Sequence, residues 1–188
     1  MLIDRMKVLG LWKAAFIEPK DMMQVLGLAD TAMAHESDYV VAGAKAGVPW
    51  YVIAALHMRE ASFNFKTYLG NGQSLFRRTT IEPKGRGPFG SWAEGAADAL
   101  MSRGFSRLPQ GAHWDIVTSL IKIESFNGLA YEHMGLPSPY VWSLTNIQKP
   151  GKYVRDHVFD PHFMDPQCGC AALLIALRDK HAVDLQEG

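Results

Sequence analysis

One glutamate closes an apolar run between Val48 and Asn64, and its position is chemically awkward. Trp50, Ile53, His57 and Glu60 recur at helical spacing, so the stripe that should bury against a core ends in a carboxylate. Gly47 and Val48-Pro49 supply the start of that helix, and Ser62-Phe63-Asn64 its stop. Glu60 therefore sits in the last turn, where the negative end of the helix dipole opposes an anion by ~0.3–1 kcal/mol. Burial and dipole together favour the neutral carboxyl, the form a general acid needs. The competing reading is a structural carboxylate paired with Arg59 beside it or His57 one turn back.

A second carboxylate would widen the chemistry. Glu124 follows Trp114, Val117 and Ile121 at helical spacing and should also face inward, either as a partner acid or as a buried group bonded to backbone amides or a tyrosine. Glu82, beside Pro83 and Lys84, reads as a solvated loop residue. Metal chemistry finds little support: His57 and Glu60 are three residues apart, but no His-Glu-x-x-His and no matching second pair exists. Cys168 and Cys170 flank one glycine, too close for an unstrained disulfide and too few for a structural zinc, so they read as small apolar residues opening a helix. No metal or cofactor is expected.

The elements that position these residues can be read in turn. Pro19 to about Gly43 reads as helical in two pieces, broken near His35-Glu-Ser-Asp38, with Ser37 or Asp38 capping the second. After the glutamate helix, Phe65 to Pro88 changes to Gly, Thr and basic residues; Asn71-Gly72 is a hairpin turn signal, so this stretch is expected to be a small antiparallel hairpin. Ser91-Trp-Ala-Glu94 is a capping box opening a helix to about Arg103. Further helices are expected from His113 to about Phe126, from Ser138 to Leu144, and from Asp165-Pro166 onward. Helices around one small hairpin make a predominantly helical α+β chain. With no Pro/Gly/Ser-rich linker to divide it, residues 1–188 are read as a single domain.

The segment Gly47-Val-Pro-Trp-Tyr-Val-Ile-Ala-Ala-Leu-His-Met-Arg-Glu-Ala-Ser-Phe-Asn64 resembles the catalytic-glutamate motif of lytic transglycosylases and goose-type lysozymes, most closely that of short, single-domain phage and prophage endolysins. Leu69-Gly-Asn-Gly-Gln-Ser-Leu75, Ile123-Glu-Ser-Phe-Asn-Gly128 and Ser138-Pro-Tyr-Val-Trp-Ser-Leu-Thr-Asn146 fit in order and spacing. The resemblance implies a lysozyme-like fold, with Glu60 as the catalytic acid. It also implies a sugar cleft to which Ser62, Glu124, Asn127, Gly128 and Tyr140 contribute, Tyr140 reading equally as an ordinary core tyrosine, with Thr79, Thr80, Tyr131 and Trp142 as weaker choices. Two positions depart from the family. Ala61 stands where a serine usually follows the glutamate, and Phe126 replaces the tyrosine of a Tyr-Asn-Ala/Gly motif.

The implied activity is cleavage of the β-1,4 bond between N-acetylmuramic acid and N-acetylglucosamine by an endolysin working as a lytic transglycosylase. The alternatives are a hydrolytic muramidase with a second carboxylate, and a non-catalytic wall-binding domain. Acidic and basic residues balance at 19 each, so there is no overall basic field to recruit nucleic acid. Charged residues interrupt the apolar ones in Met1 to Lys13, so neither a cleaved signal nor stable membrane insertion is expected. The chain is expected to be a monomer made in the host cytoplasm, reaching periplasmic glycan strands through a holin-type permeabilising partner.

Overall fold

The computed structural model describes residues 3–155 and 157–187. About half of the chain is helical, with nine helices and one small antiparallel sheet among the described residues, a predominantly helical α+β architecture. The chain divides into two compact units, Met1–Ala29 with Asp115–Gly188, and Asp30–Trp114.

The Asp30–Trp114 unit carries the glutamate helix. It receives the end of α2 (Met22–Ala34) and contains α3 (Glu36–Ala46), α4 (Trp50–Ala61) and α5 (Trp92–Ser102), with α3 packed on both α4 and α5. The break between α2 and α3 falls at His35, which is itself the N-cap of α3, in place of Ser37 or Asp38. α3 ends on Gly47 in the left-handed region, and the chain turns so tightly that a Cβ on Gly43 would lie 2.4 Å from the Val48 carbonyl. Every residue of α4 from Val52 to Arg59 is buried, the pattern of a helix enclosed on all sides. Ser91 caps α5 by accepting from the Glu94 amide (3.2 Å), while the Glu94 carboxylate reaches one residue past the cap to the Gly90 amide (3.0 Å).

The stretch from Phe65 to Pro88 is not the expected hairpin. Asn71-Gly72 does turn, with the Gly72 amide donating to the Tyr68 carbonyl at 2.8 Å, but only one isolated bridge, Thr67 with Ser74, accompanies it. The reason is where the backbone bonds go. The Gln73 side-chain carbonyl accepts from the Thr80 and Ile81 amides (2.8 and 3.1 Å), and the Thr79 hydroxyl accepts from the Arg86 amide (3.0 Å), so side chains take the place of a partner strand.

The other unit contains α1 (Arg5–Ala14), α6 (Ile116–Asn127), α7 (Ala130–His133), α8 (Pro139–Trp142), β1 (Lys152–Arg155), β2 (Val158–Asp160) and α9 (Cys170–Asp179). Asp4 caps α1 and Asp115 caps α6, and an Arg5–Asp115 ion pair (2.7 Å) joins the two starts. The sheet of the protein is here. β1 and β2 pair antiparallel, Lys152 opposite Asp160 and Tyr153 opposite Phe159, and Tyr131 stacks edge-on to Tyr153 while accepting its amide (3.0 Å). α9 begins at Cys170 and not at Asp165-Pro166; Asp165 is instead buried in an ion pair with Lys152 (2.8 Å). Cys168 and Cys170 are buried thiols.

Gly169, just ahead of α9, is where two backbones nearly touch: a Cβ there would lie 2.5 Å from both the Ser143 nitrogen and the Val141 oxygen. Gly169→Ala is therefore expected to lower stability by about 1–3 kcal/mol through overpacking. Chemical denaturation checks this, and a variant as stable as the parent would show that the α8–α9 junction yields freely.

Candidate functional site

Glu60 is the point at which α4 leaves the core. The charge this helix buries is Arg59, 8% exposed, whereas Glu60 on the next step is exposed. The burial expected from the stripe is not found, because α4 is enclosed on all sides as far as Arg59, so its spacing marks no single buried face, and the terminal turn opens to solvent. The backbone just past Glu60 is unusual. Ser62 (φ 48°, ψ 44°) and Phe63 (φ 61°) both occupy the left-handed region, which costs a residue with a side chain roughly 1–2 kcal/mol. Two such residues in succession persist because the surroundings hold them. The Ser62 amide donates to the Met58 carbonyl (3.0 Å), the Asn64 amide to the Ala61 carbonyl (2.9 Å), and the Asn64 side-chain carbonyl accepts from the Lys66 amide (3.0 Å). Ser62 is left exposed on this reversal, two residues from the carboxylate. Strain concentrated beside one exposed acid is an outlier of the kind that functional sites hold.

Behind the reversal lies a ring cluster centred on His57. Its imidazole meets Trp92 at 4.3 Å and Phe65 at 4.7 Å between centroids, and its Nδ1 is 3.1 Å from the Tyr39 hydroxyl. Burial pushes the imidazole down to about 4, so it is neutral at physiological pH and serves as a packing ring. Thr79, expected in a sugar cleft, is buried with its hydroxyl donating to the Pro83 carbonyl. Thr80 is exposed and hydrogen-bonded to Gln73 (2.9 Å). Glu82 is exposed, 3.9 Å from Lys84. Arg86 grips Asp98 of α5 through two guanidinium bonds, and the Tyr68 hydroxyl donates to the same carboxylate (2.8 Å). No sequence spacing announced that cluster.

The remaining expected residues belong to the other unit. Asn127 is exposed at the end of α6, and Gly128 (φ 100°) is its C-cap. Tyr140 is 5% exposed within α8, and Trp142 and Tyr131 are buried as well. Glu124 does face inward. It lines a cavity of about 30 Å³, room for one water by the usual size criterion, with Ser138, Lys7 and Glu132. The Glu124 Oε1 and Ser138 Oγ are buried without a hydrogen-bond partner, so this acid bonds to neither a backbone amide nor a tyrosine through that oxygen. Burial pushes the Glu124 carboxyl up to about 7; Glu132 adds to this and Lys7 opposes it. Lys7 is held by Glu132 at 2.9 Å, a pairing invisible from residues 125 positions apart.

Among the described residues, no three His, Cys, Asp or Glu side chains gather as a metal site, and no single helix is long and apolar enough to cross a membrane. No protein-family model, curated protein or solved structure matches the chain.

Because the folded protein holds the Glu124 proton more tightly than the unfolded chain, its contribution to stability is complete below the ordinary glutamate range and is lost as pH rises through about 7. Glu124→Gln is therefore expected to gain stability over the parent as pH goes from 5 to 8, on the order of 1–3 kcal/mol. Urea unfolding at the two pH values checks this. A difference between variant and parent that does not change with pH would contradict the raised acid.

Proposed function

We propose that the chain is a peptidoglycan-degrading endolysin with a lysozyme-like fold, cleaving the N-acetylmuramic acid–N-acetylglucosamine bond as a lytic transglycosylase with Glu60 as its single acid and base. The observation that carries this reading is the placement of Glu60: an exposed carboxylate at the mouth of an enclosed helix, succeeded by two left-handed residues with side chains. A reacting carboxyl must be reachable by a polymer and yet fixed in direction. Exposure meets the first need, and a helix anchored from Val52 to Arg59 meets the second.

In this reaction the Glu60 carboxyl gives its proton to the glycosidic oxygen as the bond from that oxygen to C1 breaks. The sugar's own C6 hydroxyl then bonds to C1, closing a 1,6-anhydro ring, and its proton returns to the Glu60 carboxylate. No water is consumed. Ser62, exposed on the adjacent reversal, is the hydroxyl best situated in its unit to orient the acid or the sugar. The Thr79 hydroxyl, by contrast, is engaged within its own loop. The hydrolytic alternative puts water in place of the C6 hydroxyl as the group that bonds to C1.

Glu60→Gln is expected to reduce clearance of purified cell walls by at least about a hundredfold, the lower end of what one general acid contributes, with the circular-dichroism spectrum unchanged. Retention of a large fraction of the parent rate sinks the assignment. Digestion in heavy-oxygen water separates the two mechanisms: unlabelled 1,6-anhydro ends are expected, and label at the reducing end assigns the reaction to water.

A further inference from the structure

The chain has no net charge, yet the loop from Phe65 to Gly90 carries Lys66, Arg77, Arg78, Lys84 and Arg86 against Glu82 alone. Arg86 is spent on Asp98, which ties the loop to α5. The other four cations are exposed. Between and beside them stand Phe76 and Ile81, 63% and 53% exposed, although neighbouring Leu75 is buried so tightly that a Cβ on Gly95 would meet it at 2.6 Å. The loop is thus anchored through one set of side chains and displays another.

Its backbone is already ordered. Gln73, Thr79 and Arg86 pin it internally and to α5, and the Arg103 guanidinium holds the Gly70 carbonyl at 3.0 Å. A partner binding here would meet little entropic cost from the loop. Its two ends are also placed with respect to the acid. Phe65 and Trp92, which bracket the loop, both pack on His57, one helical turn before Glu60.

We propose that this loop is a docking surface for the carboxylate-bearing stem peptides of peptidoglycan, with Lys66, Arg77, Arg78 and Lys84 receiving the carboxylates and Phe76 lying against an apolar face of the strand. The inference rests on the reading of the chain as acting on peptidoglycan, and it assigns this loop to the peptide part of that substrate. Cations spaced along a pinned loop match a polymer that repeats its negative charge, and the exposed ring offers a sugar or alkyl face its contact. Two apolar side chains on a fixed backbone make a poor membrane anchor by comparison.

The test is binding of the chain carrying Glu60→Gln to labelled soluble glycan strands, either bearing stem peptides or stripped of them by an amidase, in low and high salt. Peptide-bearing strands are expected to bind about tenfold more tightly than stripped ones, with the difference fading in high salt. Adding Arg77→Glu and Arg78→Glu should abolish the preference. Arg77→Glu alone guards against misfolding, since Arg78 also donates to the Gly85 carbonyl (3.2 Å). Equal binding to stripped strands, indifference to charge reversal, or equally tight binding to phosphatidylglycerol vesicles overturns the proposal. A protein that prefers peptide-bearing strands but whose parent form never cleaves them leaves this surface standing and removes the activity; cleavage without the preference does the reverse.

Discussion

The neutral imidazole of His57 is the constraint on which the Asp30–Trp114 unit depends. It is fully buried, and α3, the reversal after α4 and the start of α5 each send an aromatic ring to it: Tyr39, Phe65 and Trp92. A charged ring at this position would have to be desolvated among apolar faces, so the cluster holds only while His57 remains unprotonated. Packing three segments on one ring sets the direction in which α4 leaves the core, and Glu60 lies one turn further on.

From that cluster the unit builds outward by satisfying backbone groups without a sheet. The reversal at Ser62 and Phe63 accepts conformational cost, and local hydrogen bonds with Met58, Ala61 and Lys66 offset it. The long loop beyond uses Gln73 and Thr79 where a hairpin would use a facing strand, and a single carboxylate, Asp98, gathers Arg86 and Tyr68. In that company the Tyr68 phenol is pushed up to about 12, first by burial and then by its bond to Asp98, so it remains a donor at all ordinary pH values.

The other unit handles its polar groups differently. Its helix starts are capped by aspartates and its ribbon is backed by Tyr131, but the α1–α6 neighbourhood leaves Glu124 Oε1 and Ser138 Oγ without partners beside a small cavity. One cation, Lys7, faces two carboxylates there, and it pairs with Glu132. Retaining a proton on Glu124 near neutral pH is the least costly way to bury that arrangement.

Helix content and most helix positions were legible in the residues, because apolar spacing and capping residues are local. The breaks at His35 and Gly47 and the cap at Ser91 arise from chemistry within four residues of each. The inward direction of Glu124 was legible for the same reason. The exposure of Glu60 was not: helical spacing gives a face but not how far along the helix the core extends, and only the packing of α3 and α5 ends that burial at Arg59. The hairpin was misplaced because a turn signal at Asn71-Gly72 specifies a bend and not a ladder, whereas the true ribbon at Lys152–Asp160 turns at His157 (φ 60°), with none of the usual turn glycines, and is backed by a tyrosine more than twenty residues upstream. Pairings such as Lys7 with Glu132, Arg86 with Asp98 and Lys152 with Asp165 depend on long-range approach, which tertiary structure alone decides.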